Sequence, residues 1–180
     1  KQGFEAIGID FSPNAIKEAK RRSKDSGVET MTKFSVHDVT EQWPYQDNSF
    51  DVAIDCFAMT DIDSLEGRRF AEKEIHRILK PDGLVLVYAI STDDEFQKQM
   101  IETSPTREKN AFTHPSTGKF EKAFDREELL DLWSDFVLIE EQRIAKTANF
   151  FGKDYNCNHY WMIFEKSKLI NKAKSNFLIE

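Results

Sequence analysis

Four short apolar runs, each ending in or followed by an acid, dominate the first half of this chain, and none shows the polar–apolar alternation of a half-solvated strand. Phe4 to Ile9 leads into Asp10, Phe34 to His37 into Asp38, Phe50 to Phe57 contains Asp55, and Leu84 to Ile90 precedes Asp93 and Asp94. Strands of this kind belong to parallel sheets covered on both faces, and parallel neighbours need long crossover connections. The intervening segments supply them. Ser12 and Pro13 offer an N-cap and a first-turn proline for a helix reaching Arg22, with Ala15, Ile16 and Ala19 on one stripe and Gly27 closing it. Leu65, Phe70, Ile75, Ile78 and Leu79 recur at helical spacing, and Lys80-Pro81-Asp82-Gly83 suits a type I turn into Leu84. The class is α/β.

Past Ser91 the regularity weakens. A helix is expected around Glu95 to Ile101, followed by a polar stretch from Glu102 to Ala123 that is either a functional loop or misassigned structure. Asp125 can cap a helix through Trp133. Phe136 to Ile144 and Tyr160 to Phe164 then read as strands with no helix between them, hence an antiparallel pair. One domain is expected over 1–166 and a basic tail over 167–180, with Lys166 to Lys174 as a solvated surface helix.

Composition narrows the partners. The chain has 180 residues, of which 39% are hydrophobic, enough for one globular domain. Twenty-five Lys and Arg against 32 Asp and Glu give a net charge of -7, the wrong sign for nucleic acid or anionic lipid. The longest apolar run, Leu84 to Ile90, is far below the ~20 residues of a membrane helix. No apolar leader follows Lys1, so the cytoplasm is the expected compartment. Cys56 and Cys157 form no C-x-x-C, so neither a disulfide framework nor a zinc site is expected, and no metal.

Open parallel sheets bind ligands beyond the carboxyl ends of their strands. Here those ends are acidic: Asp10, Asp38, Asp55 with Asp61 and Asp63 beyond it, and Asp93 with Asp94. Carboxylates accept hydrogen bonds from ribose hydroxyls and amines and attract a cation, which points to a nucleoside carrying positive charge. Taken singly, each aspartate also reads as a helix cap or turn residue.

The succession Glu5-Ala6-Ile7-Gly8-Ile9-Asp10-Phe11-Ser12-Pro13, Phe34-Ser35-Val36-His37-Asp38-Val39, Trp43-Pro44 with Asn48-Ser49-Phe50-Asp51-Val52-Ala53, and Ile78-Leu79-Lys80-Pro81-Asp82-Gly83-Leu84-Val85-Leu86 resembles the class I S-adenosylmethionine-dependent methyltransferases, especially their small-molecule branch. The resemblance covers Glu5 to Ile90 in residues and Glu95 to Phe164 in pattern. It implies a Rossmann-like, doubly wound, mostly parallel sheet with an antiparallel C-terminal strand pair, and S-adenosylmethionine as cofactor. By that resemblance Asp10 holds the ribose hydroxyls, Phe11 packs on adenine, Asp38 and the Val39 amide meet the adenine edge, and Cys56 and Phe57 line the methionine end. The Asn-Pro-Pro-aromatic signature of base-methylating branches is replaced by Asp55-Cys56-Phe57-Ala58-Met59-Thr60, so a small-molecule acceptor is expected rather than a nucleic acid.

One departure bears on completeness. The seven glycines, at 3, 8, 27, 67, 83, 118 and 152, contain no G-x-G, so by resemblance the first strand and its glycine-rich loop are missing from this chain. The absent strand belongs between the strands ending at Asp10 and Asp55. Its loss leaves backbone groups unpaired at about 1–3 kcal/mol for each one buried. Three readings stay open: an incomplete chain, completion by a partner chain or by self-association, and a rearranged sheet. The candidate bases are His114 in the polar stretch and His159 and Tyr160 near the last strand. Two other functions compete, a non-catalytic scaffold with a degenerate methyltransferase fold and a nicotinamide-dependent oxidoreductase.

Overall fold

The computed structural model describes residues 3–167. Apart from Lys166 and Ser167, the expected basic tail and surface helix lie outside the described residues. The chain forms two compact units, Lys1–Pro44 and Tyr45–Glu180.

In the first unit, β1 (Ala6–Asp10) pairs in parallel with β2 (Thr32–Val36), in register from Ala6↔Thr32 to Asp10↔Val36. The crossover is α1 (Pro13–Asp25), followed by a 3₁₀ turn at Glu29–Met31. Ser12 caps α1 as expected, its Oγ accepting from the Ala15 N–H at 3.3 Å. Arg22 and Lys24 in the last turn complement the helix dipole. Gly8 is required by packing: a Cβ there would stand 2.7 Å from the Phe34 ring of the paired strand.

The second unit contains β3 (Phe50–Cys56), α2 (Ala58–Asp61), α3 (Leu65–Ile78), β4 (Leu79–Ile90), α4 (Glu95–Thr103), β5 (Ala111–Thr113), β6 (Phe120–Lys122), α5 (Arg126–Leu132), β7 (Val137–Phe150) and β8 (Lys153–Glu165). Its main sheet runs β3-β4-β8-β7, with β3 parallel to β4 and the β7–β8 hairpin antiparallel. The α/β class and the antiparallel C-terminal pair are as the sequence implies.

Three details differ from expectation. The Lys80–Gly83 turn lies inside β4, and Asp82 at its third position has φ +64°, the hand of a type II rather than a type I turn. The polar stretch is not one loop but holds the small β5–β6 sheet. The late strands reach Phe150 and Lys153, because β7 carries its charges outward on a sheet edge and its apolar pattern fades before the strand does.

β4 shows how the sheet is covered. Val85, Val87 and Ala89 are fully buried, whereas Leu84, Leu86, Tyr88 and Ile90 on the other face are only half-buried. On the buried face the Trp133 ring that ends α5 stacks on Phe164 of β8 at 5.9 Å. On the other face Phe96 and Met100 of α4 pack with Phe112, Tyr155 and Cys157. The polar stretch is pinned to the body by buried charge: Arg68 of α3 donates to the Ile62 carbonyl at 2.6 Å and pairs with Glu108, while Lys122 donates to Glu128 at 3.2 Å.

Candidate functional site

The first unit places four of the expected residues at one end of its parallel ladder. Asp10 closes β1, and its Oδ1 accepts from the Ser12 N–H at 2.8 Å, leaving Oδ2 without a partner among the described residues. Phe11 follows with 70% of its surface exposed. The His37 N–H donates to the Asp10 carbonyl at 3.0 Å, extending the ladder, so Asp38 and Val39 emerge from the neighbouring strand at the same end. Asp38 Oδ1 accepts from the Thr40 N–H at 2.9 Å and the Thr40 hydroxyl at 2.7 Å, and those bonds hold its carboxyl below the usual range. His37 Nε2 is buried with no hydrogen-bond partner among the described residues.

In the second unit the acids past the strand ends are mostly used by the fold itself. Asp55 points into the protein, its Oδ1 accepting from the Ala58 and Met59 N–H groups at 2.9 and 3.3 Å. Burial pushes its carboxyl up to about 7. Asp61 pairs with Lys119 at 2.9 Å and Asp93 with Arg143 at 2.9 Å. Asp94 caps α4, accepting from the Gln97 N–H at 3.0 Å. The reading as helix caps therefore holds for Asp55 and Asp94, whereas Asp61 and Asp93 are ion-paired instead.

A second group has gathered around the end of β3. Cys56 is exposed, and burial of its sulfur pushes the thiol up. Phe57 holds φ +65°, a left-handed conformation that costs a bulky residue about 1–2 kcal/mol. Its N–H donates to the Tyr88 carbonyl at 3.0 Å, and its ring lies 4.7 Å from the Tyr88 ring and 5.3 Å from the His159 ring. His159 Nδ1 is 2.7 Å from the Tyr88 hydroxyl, and Nε2 lies 3.7 Å from Asp94 Oδ2. Burial holds the imidazole below its ordinary range and the Tyr88 phenol above its own. Beside them the half-buried sheet face forms an open depression of about 370 Å³ lined by Ile54, Cys56, Leu86, Tyr88, Ile144 and Trp161.

The three candidate bases are in three different surroundings. Tyr160 lies on the opposite sheet face from His159, buried under the Arg143 guanidinium at 4.0 Å. His114 sits at the end of β5 with Nδ1 3.0 Å from the Ser116 hydroxyl. His159 alone of the three has both a phenol and a carboxylate aligned on its ring. Sequence reasoning did not single out Tyr88. The signal was present, since Tyr88 carries the only polar side-chain atom in the run Leu84 to Ile90. Among the described residues no cluster of His, Cys, Asp and Glu could hold a metal ion, and no helix is long and apolar enough to cross a membrane.

The acid–aromatic pair Asp10-Phe11 thus stands at the carboxyl end of a parallel strand, just ahead of its crossover helix, the position at which open α/β sheets bind ligands. The comparison with known families agrees and is narrower. Residues 1–155 match the family described as "Methyltransferase domain", and the chain belongs to it. It is 27% identical over 96 residues to a sterol 4-C-methyltransferase of Caenorhabditis elegans, covering 53% of this chain and 28% of that one. It is 35% identical over 78 residues to a demethylmenaquinone methyltransferase of Leptospira interrogans, covering 43% and 30%. The chain thus spans less than a third of the length of those two relatives. Among solved structures, a SAM-dependent methyltransferase of Methanosarcina mazei superposes with a TM-score of 0.75 at 20% identity, covering 90% of this chain and 82% of that one, which shows the fold.

Proposed function

We propose that this chain carries the nucleoside-binding and acceptor-facing parts of an S-adenosylmethionine-dependent methyltransferase acting on a small-molecule acceptor. The observation that carries this reading is the end of the β1–β2 ladder: a carboxylate with one oxygen unpartnered among the described residues, an exposed phenyl ring one residue on, and a second carboxylate from the adjacent strand. This donor set fits a nucleoside. Asp10 offers acceptor oxygen to ribose hydroxyls, Phe11 an aromatic face to a purine, and Asp38 with the Val39 amide an acceptor and a donor to its edge. In the second unit Cys56 and Phe57 are assigned to the methionine end. When bound, S-adenosylmethionine supplies a methyl group on a sulfonium, activated for in-line displacement. The chain's own residues then have to align the acceptor and exclude water, effects worth up to about 7–11 kcal/mol in well-oriented reactions.

The acceptor class is supported by the names of two relatives, a sterol methyltransferase and a demethylmenaquinone methyltransferase. The net charge of -7 favours such an acceptor over nucleic acid. A partner strand or a second copy pairing with the free edge of β1 or of β3 belongs to the same proposal. Among the described residues β1 is paired only with β2 and β3 only with β4, and Ile7, Val36, Val52 and Ile54 on these strands are exposed.

Calorimetric titration with S-adenosylhomocysteine tests the reading. Saturable binding is expected, weakened at least tenfold in Asp10→Asn, which keeps the acceptor for the Ser12 amide but removes the charge. Binding of a nicotinamide dinucleotide instead, or of neither compound by the folded chain, would defeat it in favour of an oxidoreductase or a scaffold.

A further inference from the structure

The loop that leaves β2 in the first unit is bonded almost throughout, and what it leaves open is selective. Trp43 is 9% exposed, and its indole Nε1–H donates to the Val39 carbonyl at 3.0 Å. The Thr40 N–H, at the other pole of the same peptide unit, donates to Asp38 Oδ1 at 2.9 Å. The peptide between Val39 and Thr40 is therefore held at both ends. The preceding peptide, between Asp38 and Val39, is held at one: its carbonyl accepts from the Glu41 N–H at 3.1 Å. Its other pole, the Val39 N–H, has no hydrogen-bond partner among the described residues. The Asp38 side chain is divided in the same way. Oδ1 takes both the Thr40 amide and the Thr40 hydroxyl, the latter at 2.7 Å, while Oδ2 has no partner among the described residues. One donor and one acceptor, from adjacent residues, are thus left for a ligand.

We propose that Thr40 and Trp43 are positioning residues that make the nucleoside site select a 6-aminopurine over a 6-oxopurine. This rests on the methyltransferase reading, which sets the purine edge against Asp38 and Val39. An adenine edge presents the N6 hydrogens and the N1 lone pair, which match the Asp38 carboxylate and the Val39 amide. A hypoxanthine edge presents the reverse, an O6 lone pair and an N1 hydrogen, so oxygen meets carboxylate and hydrogen meets amide. A loose loop would escape this mismatch. Turning over the Asp38–Val39 peptide exchanges its N–H for its C=O and converts the donor into an acceptor suited to hypoxanthine. Such a flip turns only on ψ of Asp38 and φ of Val39, the two soft torsions flanking that rigid unit. The Glu41 bond opposes it directly, and the bonds from Thr40 and Trp43 fix the groups on which those torsions end. Thr40 also keeps the carboxylate from rotating, and its two bonds hold the Asp38 carboxyl below the usual range, so that an acceptor without a proton faces the ligand at neutral pH. Phe11 takes no part in the choice, because stacking accepts any base.

Calorimetric titration of the whole chain with S-adenosylhomocysteine and with its deaminated form, S-inosylhomocysteine, reads the selection as a ratio of dissociation constants. The wild-type ratio should be about 30 or more in favour of the adenosyl compound, below the 10⁴–10⁵ of enclosed hydrogen-bonding sites because Asp38 is exposed. Thr40→Val, which keeps the shape and loses the hydroxyl, and Trp43→Phe, which keeps a ring and loses the N–H, should each narrow the ratio at least threefold. Thr40→Ser should retain it. Carbon-13 titration of the Asp38 carboxyl should move up toward the ordinary value of about 4 in Thr40→Val and not in Thr40→Ser. His37 is the other titratable group acting on Asp38 and is unchanged in all three variants. A merely structural role would weaken both ligands alike and leave the ratio where it was. A wild-type ratio near one, or a ratio unmoved in Thr40→Val, would overturn the proposal. A folded wild-type chain that binds neither compound would instead defeat the methyltransferase reading beneath it.

Discussion

Asp55 shows how a residue that reads as part of a ligand rim can belong to the fold. It stands at the carboxyl end of a parallel strand, where ligands bind, yet it is 4% exposed and spends Oδ1 on the first amides of α2. Oδ2 is buried without a partner among the described residues, so ionisation is costly and the carboxyl rises from about 4 to about 7. The raised value means that the folded chain holds this proton more tightly than the unfolded chain does. Its contribution to stability is therefore complete below the unfolded value and is lost as pH rises to about 7. Asp55→Asn keeps the cap and abolishes the titration. The variant should gain stability over wild type as pH rises from about 4 to 7, by no more than about 1.4 kcal/mol per pH unit, with no further gain above that. Urea unfolding at a series of pH values measures it, and a pH-independent difference would contradict the account.

At the scale of elements, sequence legibility followed the source of each element's stability. α1 and α5 were readable because their caps are local: Ser12 and Asp125 bond amides three residues on, and Glu128 closes a capping box on α5. β3 and β4 were readable because each carries a run of apolar residues bounded by turn-rich sequence, although Val52 and Ile54 of β3 are exposed. β7 was half-read, since an edge strand can hold Glu140, Glu141, Gln142 and Arg143 in solvent while its backbone stays in the ladder. The β5–β6 sheet was not readable at all. Three-residue strands have no period, and this pair is held by contacts distant in sequence, Phe112 packed with Phe96 and Tyr155 and Arg68 paired with the neighbouring Glu108. That dependence is testable. Arg68→Ala leaves Glu108 only its 3.7 Å pairing with Lys122 and vacates a fully buried site, and should cost about 3–5 kcal/mol in urea unfolding. Removing both charges with Arg68→Met and Glu108→Gln should recover much of the loss. An Arg68→Ala cost below about 1 kcal/mol would show that the insertion is held by something else.

The candidate site was legible to the degree that its chemistry is written in neighbouring residues. Asp10-Phe11 and Asp38-Val39 are adjacent in sequence and directly follow strands, so their joint position needed only the parallel pairing of β1 and β2. Tyr88, Asp94 and His159 are separated by up to 71 positions and meet only because β8 lies antiparallel on β4, placing His159 opposite Ile90. No local pattern announces such a group.

At the scale of the whole molecule, the two units divide the proposed work. The first offers acceptor oxygens and an aromatic face suited to a nucleoside, and the second offers Cys56 and Phe57 past the end of β3, with Phe57 packed on Tyr88 and His159. The central claim is that the nucleoside is held where β1 and β2 end. Amide chemical-shift mapping during titration with S-adenosylhomocysteine tests it most directly. The account predicts the largest saturable shifts at Phe11, Ser12, Asp38 and Val39; saturable binding that leaves those four amides unmoved and shifts others instead would contradict it.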